Sequence, residues 1–150
     1  MIKKNLIFLV FLVIAVLKCE SYSPEISGSK TMDYLSFEAY GCIAERDSID
    51  EPYWAWAITN DSLKFKVMFN THCSALFKDS VNIDNYKIEV FLQDTNNIVS
   101  RCVCRHETMF VFRIKSAGTY DLQFYYKAAT SDSYIELIRE NLKILNASSS

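Results

Sequence analysis

The segment 108–126 constrains the fold of this chain more than any other part of the sequence. Two runs of alternating apolar and polar residues flank a Ser-Ala-Gly break that contains Gly118, one of only three glycines in the chain. The second run places four large apolar residues on one face: Tyr120, Leu122, Phe124 and Tyr126. Such alternation is typical of a half-buried strand, and aromatic side chains favour a pleated sheet. We therefore predict the central pair of a β-sandwich, with Gly118 at a turn or crossover that can require a positive φ.

Other segments repeat this alternation on a smaller scale. Further strands are predicted over 32–40, 53–58, 63–69, 84–92, 98–104 and 140–145. The last segment is ambiguous, because Ile135, Ile138 and Leu142 also have a helical spacing, and we choose a strand since a sandwich needs its last edge closed. Short strands at regular spacing without a strong helix signal predict an all-β fold, a single antiparallel β-sandwich of seven to eight strands.

The N-terminus has the pattern of a secretory signal peptide. Lys3 and Lys4 precede an apolar run over 6–17, which is long enough for a signal-peptide core and too short for a comfortable membrane span. Cleavage can follow Cys19 or Ser21, and a retained anchor or a lipidated Cys19 are the alternatives. The predicted organisation is a signal peptide over 1–19, an extended arm over 20–31, a β-sandwich domain over 32–145 and a disordered tail over 146–150.

Charge and composition narrow the possible partners. Without residues 1–19 the chain keeps thirteen basic against eighteen acidic residues, a net charge of about −5. No basic patch emerges, so nucleic acid is not an expected partner. The sequence therefore predicts an extracellular protein without a stable membrane span.

The cysteines are expected to form disulfides that stabilise this domain. Cleavage after Cys19 leaves Cys42, Cys73, Cys102 and Cys104, and an even number in an exported domain predicts two disulfides. Cys102 and Cys104 are two residues apart, and a bridge between them would strain the geometry. Each is therefore expected to pair with Cys42 or Cys73, and both connectivities remain open.

The same region offers two other kinds of chemistry. Cys102, Cys104 and His106 would share a strand face, and His72 with Cys73 could approach from another strand to complete a zinc site. Cys104 and His106 also have the residue types of a catalytic nucleophile and its general base. The exported compartment favours disulfides, and an oxidised cysteine is a poor nucleophile. We therefore predict no catalytic residue, no metal and no cofactor.

Two short motifs predict a glycoprotein. Asn60-Asp61-Ser62 and Asn146-Ala147-Ser148 match the N-glycosylation pattern, so Asn60 and Asn146 are the candidate acceptors. Both lie where exposed chain is expected.

Three aromatic residues open the second predicted strand. Alternation places Trp54 and Trp56 on one face and Tyr53 on the other. A core tryptophan is ordinary in a sandwich. The alternative is an exposed ligand-contact patch, because Trp and Tyr provide contact area at a low cost in entropy.

The segment 85–145 resembles immunoglobulin-like sandwich domains. The resemblance is carried by the runs Tyr86-Lys87-Ile88-Glu89-Val90, Phe110-Val111-Phe112-Arg113-Ile114 and Ala117-Gly118-Thr119-Tyr120. Filamin-type repeats have a similar Gly-x-Tyr strand, and chagasin-like cysteine-protease inhibitors have a similar Ser-Ala-Gly-Thr ending. The resemblance implies an immunoglobulin-like fold and, through the second family, inhibition of papain-type proteases. Tyr53-Trp54-Ala55-Trp56 takes the place of one protease-contacting loop, without the Asn-Pro-Thr-Thr-Gly residues of that family.

Together these observations predict a secreted, non-enzymatic binding protein. Its partner is expected to be an extracellular protein or a cell-surface ligand. Sandwich domains carry function on loops at their ends, so 44–53, 93–98 and 127–134 are the predicted contact regions. Inhibition of a papain-type cysteine protease is the alternative function.

Overall fold

A computed structural model describes residues 31–45, 51–98 and 101–145, so the predicted signal peptide, the predicted N-terminal arm except Thr31, and the predicted C-terminal tail lie outside it. Every element of the described chain is a strand. The strands are β1 (Met32–Glu45), β2 (Tyr53–Thr59), β3 (Ser62–His72), β4 (Phe77–Asp84), β5 (Lys87–Asp94), β6 (Val103–Ile114), β7 (Gly118–Lys127) and β8 (Ile135–Ile144).

The strands form two four-stranded sheets, which confirms the all-β prediction. One sheet has the order β1-β6-β3-β2 and the other β4-β5-β7-β8. Five of the six pairings are antiparallel, whereas β5 and β7 are parallel. The expectation of a wholly antiparallel sandwich was therefore wrong at this one pairing. The reason is connectivity: after β5 the chain enters the first sheet as β6 and returns as β7 in the direction of β5.

The predicted central pair is divided between the two sheets. β6 lies between β1 and β3, and β7 lies between β5 and β8, so each is central within its own sheet. The break at 115–117 is thus a crossover and not a hairpin. The Tyr120 hydroxyl is placed between the carbonyls of Ser116, at 2.7 Å, and Thr31, at 3.0 Å, which anchors the crossover to the beginning of β1.

Several strand boundaries differ from the sequence prediction. Residues 98–104 are not a separate strand, because β6 begins at Val103 and continues through the predicted central strand. The strand β4 was not predicted, since its inward positions are only partly buried and its other positions are polar. The last strand begins at Ile135. Its pairing with β7 is irregular at Phe124/Tyr125, where one residue of β8 is skipped, and this shift is why Ile135 and Ile138 have a helical spacing.

Aromatic side chains join the two sheets. Phe124 of β7 contacts Phe65 and Phe69 of β3 and Phe110 of β6, with ring centroids 5.9–6.3 Å apart. All four rings are buried. At the sheet margin the Tyr34 hydroxyl donates to the Asp79 carboxylate at 2.5 Å, a second link between the sheets.

Strand direction divides the connections between two ends of the sandwich. Odd-numbered strands run one way and even-numbered strands the other. At one end of the sandwich the odd-numbered strands finish and the even-numbered strands begin. We call this the cysteine end, because the four cysteines of the described chain lie near it. The opposite end carries the turns at 60–61, 85–86 and 115–117.

Gly118 is required for close packing and not for a positive φ. Among the described glycines only Gly41 has a positive φ. A Cβ at Gly118 would lie 2.3 Å from Cε1 of Tyr86, whose ring packs edge-on against Tyr120.

We therefore expect Gly118→Ala to destabilise the domain by about 1 kcal/mol, because the partly exposed Tyr86 ring must leave its site on Tyr120. Urea denaturation measures the change. In the background Tyr86→Ala the same substitution is expected to cost much less, and equal costs in the two backgrounds would contradict this steric explanation.

Candidate functional site

The structure brings the four predicted cysteines together in two pairs at disulfide distance. The Cα atoms are 5.7 Å apart for Cys42 and Cys104 and 5.4 Å apart for Cys73 and Cys102. The first pair links β1 to β6. The second lies just beyond the β3–β6 ladder, where the Cys73 N–H donates to the Cys102 carbonyl at 3.0 Å. Each of the two closely spaced cysteines thus has a partner elsewhere in the chain.

The two pairs are also adjacent to each other. The sulfur atoms of Cys42, Cys73 and Cys104 all lie within 4.8 Å of one another. Nε2 of His106 lies 3.3 Å from the Cys104 sulfur. Of the residues predicted as possible zinc ligands, Cys73 and Cys104 thus lie close together with Cys42, and His106 contacts Cys104, whereas Nε2 of His72 contacts Asp94 instead. We call Cys42, Cys73, Cys102 and Cys104 the sulfur cluster.

His106 is buried beneath this sulfur cluster. Its Nε2 lies 3.1 Å from the His72 carbonyl, and its ring packs edge-on against Phe77. Within the described residues its Nδ1 has no hydrogen-bond partner. Burial lowers the pKa of His106 below its usual 6.5, partly opposed by the His72 carbonyl, while nearby His72 lowers and Asp94 raises the same pKa.

A lowered pKa makes the domain less stable in acid. The folded protein keeps His106 neutral where the unfolded chain already binds a proton, so stability is full above about pH 6.5 and falls as the pH drops through the folded pKa. We expect urea midpoints to decrease between pH 7.5 and pH 5. The variant His106→Gln retains an N–H for the His72 carbonyl and is expected to show a smaller decrease. An identical pH profile would contradict this role.

A second polar network, which the sequence analysis missed, lies beside the cluster. Nε2 of His72 contacts the buried Asp94 carboxylate, and the two form an ion pair when His72 is protonated. Asp94 Oδ1 accepts the N–H groups of Leu76 at 3.1 Å and Asn96 at 2.9 Å. Ser74 Oγ lies 3.0 Å from His72 Nδ1. The network therefore fastens the β3–β4 and β5–β6 connections to each other.

Ser74, His72 and Asp94 are the residue types of a hydrolase triad, but their contacts are structural. The Ser74 hydroxyl donates to the Ile98 carbonyl at 2.8 Å, so its proton is committed to the loop and not to the histidine. One sequence signal could have revealed the network. Asp94 continues the inward phase of Ile88, Val90 and Leu92, and a carboxylate in a core phase requires a partner.

The predicted aromatic contacts lie on both faces of β2. Tyr53 pairs with Met68 on the outer face and is 49% exposed. Trp54 and Trp56 are on the same face as the core residues opposite them, yet they remain 39% and 42% exposed. Because β2 is an edge strand, its inner face is covered incompletely, so neither tryptophan is a fully buried core residue.

The free edge of β2 lacks the usual protection against strand pairing. Within the described chain β2 pairs only with β3, and it contains no charged residue, no proline and no register shift. The other edge strands differ, since β4 and β8 carry several charges and β1 has three register irregularities. An uncharged, regular edge is open to pairing with another extended chain.

A small polar cavity lies on the second sheet toward the cysteine end. Its volume is about 230 Å³ and its lining includes Lys78, Asp79, Ser80, Gln93 and Tyr134. The Tyr134 ring packs edge-on against Phe91 and lies beneath the Lys127 ammonium group, 5.9 Å away. Gln93 and Tyr134 belong to two of the predicted contact regions, which thus meet at this cavity.

Of the two predicted glycosylation acceptors only one lies in the described chain. Asn60 occupies the β2–β3 turn with a φ of 56° and is exposed. It lies at the end opposite the cysteines. Asn146 is outside the described residues.

No protein-family model, curated protein or solved structure matches this chain. No helix that could span a bilayer occurs in the described part of the chain.

Proposed function

We propose that this protein is a secreted, non-enzymatic binding protein that contacts an extracellular protein through the cysteine end. The observation that carries the proposal is that the strands flanking the three predicted contact regions all end or begin at the cysteine end. β1 ends and β2 begins at this end, as do β5 and β6, and β7 and β8. Loops held on a rigid scaffold at one end are the usual contact surface of a sandwich.

The same end is braced for this purpose. The two cysteine pairs and the contact between His72 and Asp94 hold the connections to the strands beneath them. Surface that is ordered before binding loses less entropy on binding, which favours affinity. Ile98, Tyr53 and Trp54 add exposed apolar area beside these connections.

The edge of β2 extends this surface and indicates how a partner engages it. We expect an extended segment of the partner to pair with β2, with its side chains against Trp54 and Trp56. Main-chain hydrogen bonds supply affinity in this mode of binding, and the half-exposed tryptophans supply specificity.

Two exposed aliphatic residues provide a matched test. Ile98 is 75% exposed at the cysteine end, whereas Leu145 is 72% exposed at the opposite end. The labelled full-length protein is applied to an array of purified extracellular proteins. We expect Ile98→Ala and Trp54→Ala to weaken the strongest interaction about tenfold or more, a loss of at least ~1.4 kcal/mol, and Leu145→Ala to leave it unchanged. Weakening by Leu145→Ala alone would refute the assignment of the surface.

The specific alternative is inhibition of a papain-type cysteine protease. It is supported by the same placement of three connections at one end, the arrangement that a wedge into a protease cleft requires. Titration of papain with the protein separates the two functions. Stoichiometric inhibition that Trp54→Ala abolishes would establish the inhibitor, and full papain activity at excess protein would leave the binding proposal.

An immunoglobulin-like relationship is part of the proposal. It is supported by the two packed four-stranded sheets and by two adjacent cysteine pairs, Cys42 with Cys104 and Cys73 with Cys102. The parallel pairing of β5 with β7 makes this arrangement a variant of that architecture and not a copy of it.

A further inference from the structure

We propose that the sulfur cluster is a thiol–disulfide exchange site whose substrate is a dithiol reductant. One equivalent of the dithiol converts the two native pairs into a single Cys73–Cys104 disulfide, and it leaves Cys42 and Cys102 as thiols. This inference goes beyond the binding function and does not depend on the identity of the partner.

The first argument is the proximity of the sulfur atoms. Exchange requires a thiolate to reach a sulfur of a neighbouring disulfide. The Cys73 sulfur lies within 4.8 Å of both sulfurs of the Cys42–Cys104 pair. Cys73 and Cys104 are diagonal neighbours across the β3–β6 ladder, because Thr71 is paired with Cys104 and the Cys73 N–H bonds the Cys102 carbonyl.

The second argument is the difference in exposure within each pair. Cys42 and Cys102 are exposed, Cys73 is half-buried and Cys104 is completely buried. A reductant from solution therefore reaches the exposed Cys102 sulfur and releases the half-buried Cys73 as the thiolate. Each native pair has one outer and one inner member.

Attack on Cys102 begins the exchange. A reductant thiolate bonds to the Cys102 sulfur, the Cys73–Cys102 bond breaks and Cys73 leaves as a thiolate. Cys73 then attacks the Cys104 sulfur, which forms the Cys73–Cys104 bond and expels Cys42 as a thiolate that takes a proton from water. The second reductant thiol attacks the mixed disulfide and releases Cys102. The dithiol becomes a cyclic disulfide, and the protein gains two electrons and two protons.

Attack on Cys42 is disfavoured, because it would release Cys104 as a buried thiolate beside the neutral His106. The exchange therefore begins at Cys102 and ends with the Cys73 and Cys104 sulfurs joined.

The environment of Cys104 decides between the possible products. Attack of Cys73 on Cys42 would instead leave Cys104 as a buried thiolate beside His106, whose low pKa keeps it neutral. A buried thiolate without a positive partner is unfavourable, whereas Cys42 is released into water. Exchange is therefore directed toward the Cys73–Cys104 bond.

Alkylation mapping tests the inference on the wild-type protein. The folded protein is treated with one equivalent of dithiothreitol at neutral pH, trapped with iodoacetamide and mapped by peptide mass spectrometry. We expect the doubly alkylated species to carry its labels on Cys42 and Cys102, with Cys73 joined to Cys104. Labels confined to Cys42 and Cys104, or to Cys73 and Cys102, would show independent native bonds and overturn the proposal.

Two variants provide matched controls. In Cys42→Ser/Cys102→Ser the remaining cysteines are expected to form the Cys73–Cys104 bond during oxidative folding, as shown by the absence of alkylation. In Cys73→Ala/Cys102→Ala the exchange partner is missing, so limited reduction is expected to label Cys42 and Cys104 together. Reactive thiols in the first variant would contradict the proposed bond.

Discussion

Replacement of Phe124 by alanine is expected to lower the free energy of unfolding by about 3–5 kcal/mol. Phe124 is completely buried and contacts Phe65, Phe69 and Phe110 of the facing sheet. Truncation opens a cavity between two sheets that cannot close without moving both. Equilibrium urea denaturation followed by tryptophan fluorescence measures the loss, a large part of the total stability of a domain of this size.

Two further substitutions test this prediction, a conservative one at Phe124 and one at an exposed position. Phe124→Leu keeps most of the volume and is expected to cost clearly less than Phe124→Ala. Tyr53→Ala removes a half-exposed ring on the outer face of β2 and is expected to change stability by less than about 1 kcal/mol. A cost for Phe124→Ala similar to that of Tyr53→Ala would mean that the sheets are not held together at this point.

Replacement of Asp94 by alanine is expected to destabilise the domain by about 3–5 kcal/mol. The substitution leaves His72 without its carboxylate and deprives the N–H groups of Leu76 and Asn96 of their shared acceptor. Asp94→Asn retains a side-chain oxygen for those N–H groups and is expected to cost less. The free energy of unfolding from urea denaturation at pH 7 ranks the two variants.

An exposed ion pair serves as the control for this experiment. Asp33 lies 2.6 Å from the Lys115 ammonium group, and both side chains are partly exposed. Asp33→Ala is expected to cost no more than about 1 kcal/mol, because water screens the charges of such a pair. Equal effects at Asp33 and Asp94 would show that the buried network does not brace the cysteine end.

The alternating pattern of the sequence determined the class of the fold and much of its core. Period-two alternation identified the inward faces of β3, β5 and β7, including Leu63, Val90 and Leu122, because a strand exposes alternate residues to opposite sides. It also placed Trp54 and Trp56 on one face. Alternation is a local property, so it can be recognised without the rest of the chain.

Only the tertiary structure decided which strands are neighbours. Alternation is the same for a strand in either sheet, so it could not show that the chain crosses between sheets at Gly118 or that β5 and β7 are parallel. The pairing of the cysteines was open for the same reason, and it is the folded structure that brings the Cα atoms of Cys42 and Cys104 to 5.7 Å. The contact between His72 and Asp94 joins residues 22 positions apart, at the ends of two strands in different sheets. Such contacts depend on where the strand ends meet in space, which no local pattern specifies.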